Sequence, residues 1–353
     1  MNTFLSLSRT QLRWIVGIAV VLLSAAIAIE ASGSGGSSAR AAHRARAADM
    51  VADTFTPATT TREPRCFGAA SHDPAKPCNN PALRSMVSPT PRAARNRPNA
   101  PCTILDNSDP LHVCAFGTPP SRASATIALL GDSHAMHWRA AVERVARAKH
   151  WYGLSIALGG CPYSTATRVI EEPLRSRCIE RNREVPDWFR QHPEIHTVFV
   201  TGISGAKWML APGESQFAGQ MNHYLEAWAA LPASVTHIVV IRDTPKALPS
   251  TRGCIERARA KGQDAGIACR MPRRAVLNQD PAVVAAQVAT EQFGSTRFDI
   301  ADLTRYFCDR RWCEPVIGGA LVQKDVNHLS SVFVSTLGPY LLHQVDHVMA
   351  GWR

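Results

Sequence analysis

From Ser124 onward, short apolar runs alternate with longer amphipathic stretches, and this alternation narrows the range of folds more than any other feature of the chain. The runs at 126–130, 153–158, 196–201 and 236–242 are too short for buried helices and have the length of buried strands. A fifth, less apolar run lies near 297–302. The stretches at 135–149, 216–231, 281–293 and 330–349 carry apolar residues at helical spacing. Strands separated by helices imply an α/β fold, with a parallel sheet covered by helices on both faces. In such sheets ligands gather at the carboxyl ends of the strands.

Gly131-Asp132-Ser133-His134 stands at the end of the first run and opens the first helical stretch, which puts a serine hydroxyl at a strand-to-helix turn. Far downstream, Asp325-Val326-Asn327-His328 holds the two groups that such a hydroxyl needs: a histidine to take its proton and a carboxylate to hold that histidine in the useful tautomer. Each motif also has a plainer reading. Asp132 and Ser133 suit a helix cap, and His328 suits a satisfied surface or core histidine. Chain order and strand-end placement favour reading the two motifs together.

Ten cysteines fall into five close neighbours: Cys66 and Cys78, Cys102 and Cys114, Cys161 and Cys178, Cys254 and Cys269, Cys308 and Cys313. An even count at local spacing, behind an export-like leader, reads as loop-closing disulfides, and sequential pairing is the simplest connectivity. Metal ligation competes, but there is no Cys-x-x-Cys pair and no Cys/His cluster at zinc-site spacing. No metal and no cofactor are expected.

The leader itself is an uncharged stretch from Trp14 to Ile29 behind Arg9 and Arg13. Its length lies between a signal-peptide core and a full membrane span, and Ala26-Ile27-Ala28 offers a small-x-small cleavage site. The expectation is one N-terminal membrane helix, residues 1–30, with the domain outside the cytoplasm; secretion after cleavage is the alternative. Residues 31–62 read as a flexible tether, and 63–122 as a loop-rich, cysteine-containing extension ahead of a catalytic domain at 123–353. The balance of 39 basic against 28 acidic side chains, +11, loses its nucleic-acid reading in an exported chain and suggests residence near anionic envelope material.

Further residues carry a resemblance. Gly131-Asp132-Ser133-His134-Ala135 with Trp138, Gly160-Cys161-Pro162, Arg242-Asp243-Thr244-Pro245, Met271-Pro272-Arg273 and Asp325-x-x-His328-Leu329-Ser330 look like the SGNH hydrolases. More narrowly, with Cys66-Phe67-Gly68-Ala69-Ala70 and Pro77-Cys78-Asn79, they resemble the SGNH domain fused to, or partnered with, membrane acyltransferase-3 proteins. The resemblance covers about residues 65 to 350. It implies a three-layer α/β/α, flavodoxin-like fold with a parallel sheet and a disulfide-pinned N-terminal extension. It also implies Ser133 as nucleophile, His328 as general base and then acid, and Asp325 as the orienting carboxylate.

The same resemblance asks for an oxyanion hole built from the Ser133 N–H, a glycine N–H and an asparagine side chain. Gly159 or Gly160 stands where the glycine is expected, although a strand-terminal turn explains both. No asparagine follows the third run, which continues Gly202-Ile203-Ser204-Gly205-Ala206-Lys207-Trp208, so the third donor falls to an N–H near Gly202, to the Ser204 hydroxyl, or to nothing. Asp132, His134 and Trp208 are candidate pocket residues. Trp138 and Trp208 also suit the core, and Asp243 suits a turn.

Two functions compete. One is an exported serine-dependent O-acyltransferase or esterase that moves an acetyl-sized group on or off a cell-envelope glycan, its acyl donor supplied by a multi-spanning acyltransferase-3 partner. The other is a catalytically silent envelope-binding or scaffold domain beside such a partner. A lipase or thioesterase would want a long apolar loop, and none is evident.

Overall fold

The computed structural model describes residues 63–292 and 294–352. Its centre is a seven-stranded sheet, ordered edge to edge as Thr103–Ile104, Cys114–Gly117, Trp151–Ala157, Ala125–Gly131, Ile195–Thr201, His237–Ile241 and Phe298–Ala301. The last five are mutually parallel; the first two join the edge antiparallel. The parallel strands are nearly continuous in apolar residues because both of their faces are covered.

Side-chain alternation splits the interior into two layers. On one face, Ile127, Leu129, Phe199 and Val239 pack with Trp138, Val142 and Val145 of the Ser133–Ala148 helix and with Phe333, Leu337 and Leu341 of the Ser331–Met349 helix. On the other, Ala128, Leu130, Val198, Val200, Ile238 and Val240 meet Val185 and Phe189 of Leu174–Arg190, Trp228 of Gln216–Ala229 and Ala285 of Pro281–Glu291. This is the three-layer α/β/α architecture the sequence implied.

The Leu174–Arg190 helix is not evident in the sequence, where Pro186 and a dense set of charges hide its stripe of Cys178, Arg181, Val185 and Phe189. The loop-rich extension before Ser124 also joins the sheet and the core. Thr103–Ile104 and Cys114–Gly117 extend the sheet, Cys66, Phe67 and Ala69 enter the core, and the Ala69 N–H donates to Thr336 Oγ1 at 2.9 Å. Strands of two and four residues are too short to leave a period in the sequence.

The ten cysteines form five disulfides between chain neighbours, Cys66–Cys78, Cys102–Cys114, Cys161–Cys178, Cys254–Cys269 and Cys308–Cys313. Cys161–Cys178 fastens the turn after the Trp151–Ala157 strand to the Leu174–Arg190 helix. The expected leader at 1–30 and tether at 31–62 lie outside the described residues. Among the described residues no helix is long and apolar enough to cross a membrane.

Candidate active site

The Ala125–Gly131 strand, flanked on both sides by parallel neighbours, ends at a glycine for a steric reason. Gly131 has φ of +148°, and a Cβ there would sit 1.9 Å from the Thr201 carbonyl oxygen of the adjoining strand. The chain then turns at once into the helix that begins at Ser133. Asp132 caps that helix: its Oδ1 accepts from the His134 N–H at 2.7 Å, and its Oδ2 accepts from the Ile203 N–H at 3.1 Å. Being fully buried, Asp132 is the pin that holds the serine turn to the loop after Ile195–Thr201, and it presents nothing to a pocket.

Across from this turn, residues 323–329 fold back on themselves through a Gln323–Leu329 bridge and a 2.9 Å bond from the Lys324 N–H to the His328 carbonyl. Asp325 accepts the Asn327 and His328 N–H groups at 2.9 and 2.8 Å, and both of its oxygens lie within 3.0 Å of His328 Nδ1. His328 Nε2 is 2.8 Å from Ser133 Oγ. With Nδ1–H donating to the carboxylate, Nε2 is left to accept the serine proton. Burial alone would raise the Asp325 pKa, but the hydrogen bonds from the His328 side chain, the His328 N–H and the Asn327 N–H hold it down at about 2. A hydroxyl, an oriented imidazole and a lasting carboxylate in line can generate a serine nucleophile near neutral pH.

A second, more deeply buried network lies behind the first. His134 Nδ1 is 2.5 Å from Asp243 Oδ1, while Asp243 Oδ2 accepts both the N–H and the hydroxyl of Ser204 at 2.8 Å. Burial alone would lower the His134 pKa, yet the charge and hydrogen bond of Asp243, with Asp132 behind them, raise it to about 9. Burial pushes Asp243 the other way, and His134 and Ser204 hold it below the ordinary carboxylate value. Asp280, which accepts the Asp243 N–H at 2.7 Å, is raised to about 6 by burial and by the Asp243 charge. Burial first, and then the neighbouring cations, keep His137 neutral; its ring lies 6.2 Å from that of His328 and neither of its nitrogens has a partner.

This network changes several expectations. Ser204 is not an oxyanion donor: it has one hydroxyl proton and one N–H, and both are committed to Asp243. The Ile203 N–H is likewise committed to Asp132. Asp243 is more than a turn residue, because it binds His134, although it also accepts the Thr244 N–H at 2.7 Å. His134 belongs to that pair and does not line a pocket. Trp208 is 2 % exposed and packs edge-on against Tyr224, so it is core and lines no pocket; Trp138 is core as well.

Gly202 sits beside Asp132, with room for a Cβ only 3.2 Å from the Tyr224 hydroxyl. Gly160 has φ of +79° in the turn after Trp151–Ala157, and Leu158 at the start of that turn donates to the Gly131 carbonyl at 3.2 Å. Gly159 shows no such constraint.

Arg181 is the residue that sequence reasoning missed. Its Nη2 donates to the carbonyls of Gly131, at 3.1 Å, and Ile156, while its Nη1 donates to Cys161 O at 3.2 Å and Asn182 Oδ1 at 2.8 Å. Burial lowers its pKa to about 10, so it remains a cation. One guanidinium thus locks the serine turn to the Gly160 turn. Its signal was a charged residue three positions after Cys178 on an otherwise apolar stripe. Among the described residues no group of three His, Cys, Asp or Glu side chains is arranged to hold a metal.

No curated protein matches the chain significantly. Among solved structures it is similar to the periplasmic domain of a lipopolysaccharide acetyltransferase from Salmonella ser. Paratyphi A, at 11 % identity and a TM-score of 0.48, over 65 % of this chain and 85 % of that one. The family model described as the SGNH domain fused to AT3 domains matches residues 101–342, a span that contains the Ser133 turn and the Asp325–His328 loop. That span is more than half of the sequence, and the chain therefore belongs to the family of SGNH domains found fused to AT3 domains.

Proposed function

We propose that this protein is an exported serine enzyme that moves an acetyl-sized group on or off a cell-envelope glycan through an acyl-serine at Ser133. The observation that carries the reading is the continuous hydrogen-bonded line from Ser133 Oγ through His328 to Asp325, at 2.8 and 2.9 Å, at the carboxyl end of a central strand. His328 takes the Ser133 proton as the acyl carbon is attacked and returns it to the departing oxygen. Water or a sugar hydroxyl then resolves the acyl-serine with the same histidine as base.

Membership of the AT3-fused family supports a multi-spanning acyltransferase as the acyl donor. Five disulfides and the apolar leader support a location outside the cytoplasm, with the leader as anchor or as a cleaved signal. The side chains of His328 and Asp325 are 31 % and 44 % exposed, so an acceptor can approach from solvent. The competing silent-scaffold reading is favoured by the commitment of Ser204 to Asp243, which removes one oxyanion candidate.

The purified protein is tested with p-nitrophenyl acetate and a fluorophosphonate, beside Ser133→Ala, and then with an acetylated and an unacetylated glycan. Turnover and labelling that vanish in Ser133→Ala support the enzyme. A wild type that neither labels nor transfers leaves the scaffold standing.

A further inference from the structure

The Thr167–Val169 segment, after the Trp151–Ala157 strand, pairs with Lys207–Met209, after Ile195–Thr201. The Val169 N–H donates to Lys207 O at 2.9 Å, the Met209 N–H donates to Thr167 O at 2.8 Å, and Arg168 and Trp208 lie opposite each other. Opposed residues in such a ladder project to the same side. Trp208 is core, so Arg168 shares its inward side, while Val169 and Met209 are exposed, at 62 and 48 %.

A Cβ on Gly160 would stand 3.9 Å from Arg168 Nη1, which places the guanidinium at the turn that begins by bonding to Gly131. Arg168 also opposes the protonation of His134, the residue next to Ser133. Its Nε is buried with no hydrogen-bond partner, and among the described residues Arg168 makes no ion pair. A buried donor left unsatisfied is costly, so the bare Arg168 Nε–H points to an acceptor that arrives with the ligand.

We propose that Arg168 supplies the third oxyanion donor of this site, in place of the donors that Ser204 and Ile203 have committed elsewhere. The inference rests on the acyl-serine reading. Ser133 Oγ bonds to the acyl carbon as its proton passes to His328 Nε2, and the carbonyl π pair moves onto oxygen. The resulting anion accepts an Arg168 N–H. Collapse returns the pair to the carbonyl, breaks the bond to the departing oxygen, and gives that oxygen the proton held by His328. A guanidinium keeps its charge throughout and presents its donors in a rigid plane, which suits a fixed anionic oxygen.

The test uses the full-length protein with Arg168→Met and Arg168→Lys. With p-nitrophenyl acetate, Arg168→Met is expected to lose about 10²–10³ in kcat with KM held within about threefold, and Arg168→Lys to recover part of the loss. Fluorophosphonate labelling slows in parallel. In Ser133→Ala, where no acyl-enzyme can form, added acetate is expected to move the Arg168 Nε–H resonance. An Arg168→Met enzyme with unchanged kcat and labelling overturns the proposal. So does a rise in KM alone, which would make Arg168 a binder of an anionic acceptor. An Nε–H resonance indifferent to acetate overturns it as well. A wild type without turnover or labelling sinks the acyl-serine reading instead, and the acetate response then decides for Arg168 separately.

Discussion

His134 Nδ1 lies 2.5 Å from Asp243 Oδ1 with both side chains almost wholly buried, while Ser133, one residue away, meets a His328–Asp325 pair that opens to solvent. The two His–Asp pairs differ in consequence. The exposed pair can exchange protons with a substrate, whereas the buried pair fixes the Ser204 loop and the start of the serine helix.

Stability is expected to depend on pH through the buried pair. The folded pKa of His134 is raised above 6.5 to about 9, so its contribution is complete below pH 6.5 and is lost as pH rises through 9. Asp243 is lowered below 3.8, so its contribution is present above that pH and is lost in acid. Asp280 is raised to about 6 and opposes stability as pH climbs from 3.8 through 6. Urea denaturation should show the wild type weakening between about pH 6.5 and 9, with a flatter profile in His134→Gln/Asp243→Asn. Parallel profiles would contradict the ion pair.

Asp325→Asn is expected to lower kcat by about 10²–10⁴, since the amide cannot hold the Nδ1–H tautomer, with a small fall in melting temperature from the lost carboxylate hydrogen bonds. Because Asp325 stays ionised down to about pH 2, an activity loss between pH 4 and 7 in the wild type belongs to another group. A ¹³C titration of Asp325 with its inflection near 4 would refute this assignment.

Gly131→Ala should destabilise the fold by about 2–4 kcal/mol, from its backbone angle and from overlap with the Thr201 carbonyl. Gly159→Ala, with no heavy atom within 4 Å of its added Cβ, should stay within about 0.5 kcal/mol of wild type. Equal melting of the two variants would show that the close approach at Gly131 is relieved at no cost.

Arg181→Lys should cost about 2–4 kcal/mol and reduce kcat as well, because an ammonium cannot span the carbonyls of Gly131, Ile156 and Cys161. Guanidinium denaturation and turnover read the two effects separately. A lysine variant with wild-type stability would mean that water replaces the fork.

Removing the Cys161–Cys178 bridge as a double alanine variant should cost about 3 kcal/mol, the loop-closure value for a separation of 17 residues. The Gly160 turn depends on this bridge, so ester turnover should fall at temperatures where the rest of the fold stays intact. Turnover that tracks global unfolding alone would argue against a local role.

The five parallel strands and four of the helices after Ser124 were legible in the sequence because burial on both faces keeps most of the strands nearly continuous in apolar residues and gives each of those helices an apolar stripe. Helix Leu174–Arg190 was not, since Pro186 and its charges obscure the pattern; nor was helix Thr251–Ala260, short and crowded with arginines, nor the two edge strands, which are too short to show a period. Ser133, Asp325 and His328 could be named from motifs because their chemistry needs those residue types at a strand end. Their approach to within 3 Å across some 190 residues is a property of the folded sheet and of the 323–329 loop.

The remaining decisions belonged to the tertiary structure alone. Residue identity supplied Ser204, His134, Asp243, Trp208, Arg168 and Arg181 with donors, acceptors and rings, and neighbours set their use. Asp243 took both protons of Ser204 and the ring of His134, the core took Trp208, and Arg181 took the carbonyls at the serine turn. A hydrogen-bonding group serves the partner that packing brings nearest in a dry interior, and that partner is seldom close in sequence. The alternation of runs determined the layers of this protein; long-range packing decided which polar groups remain free to meet a substrate.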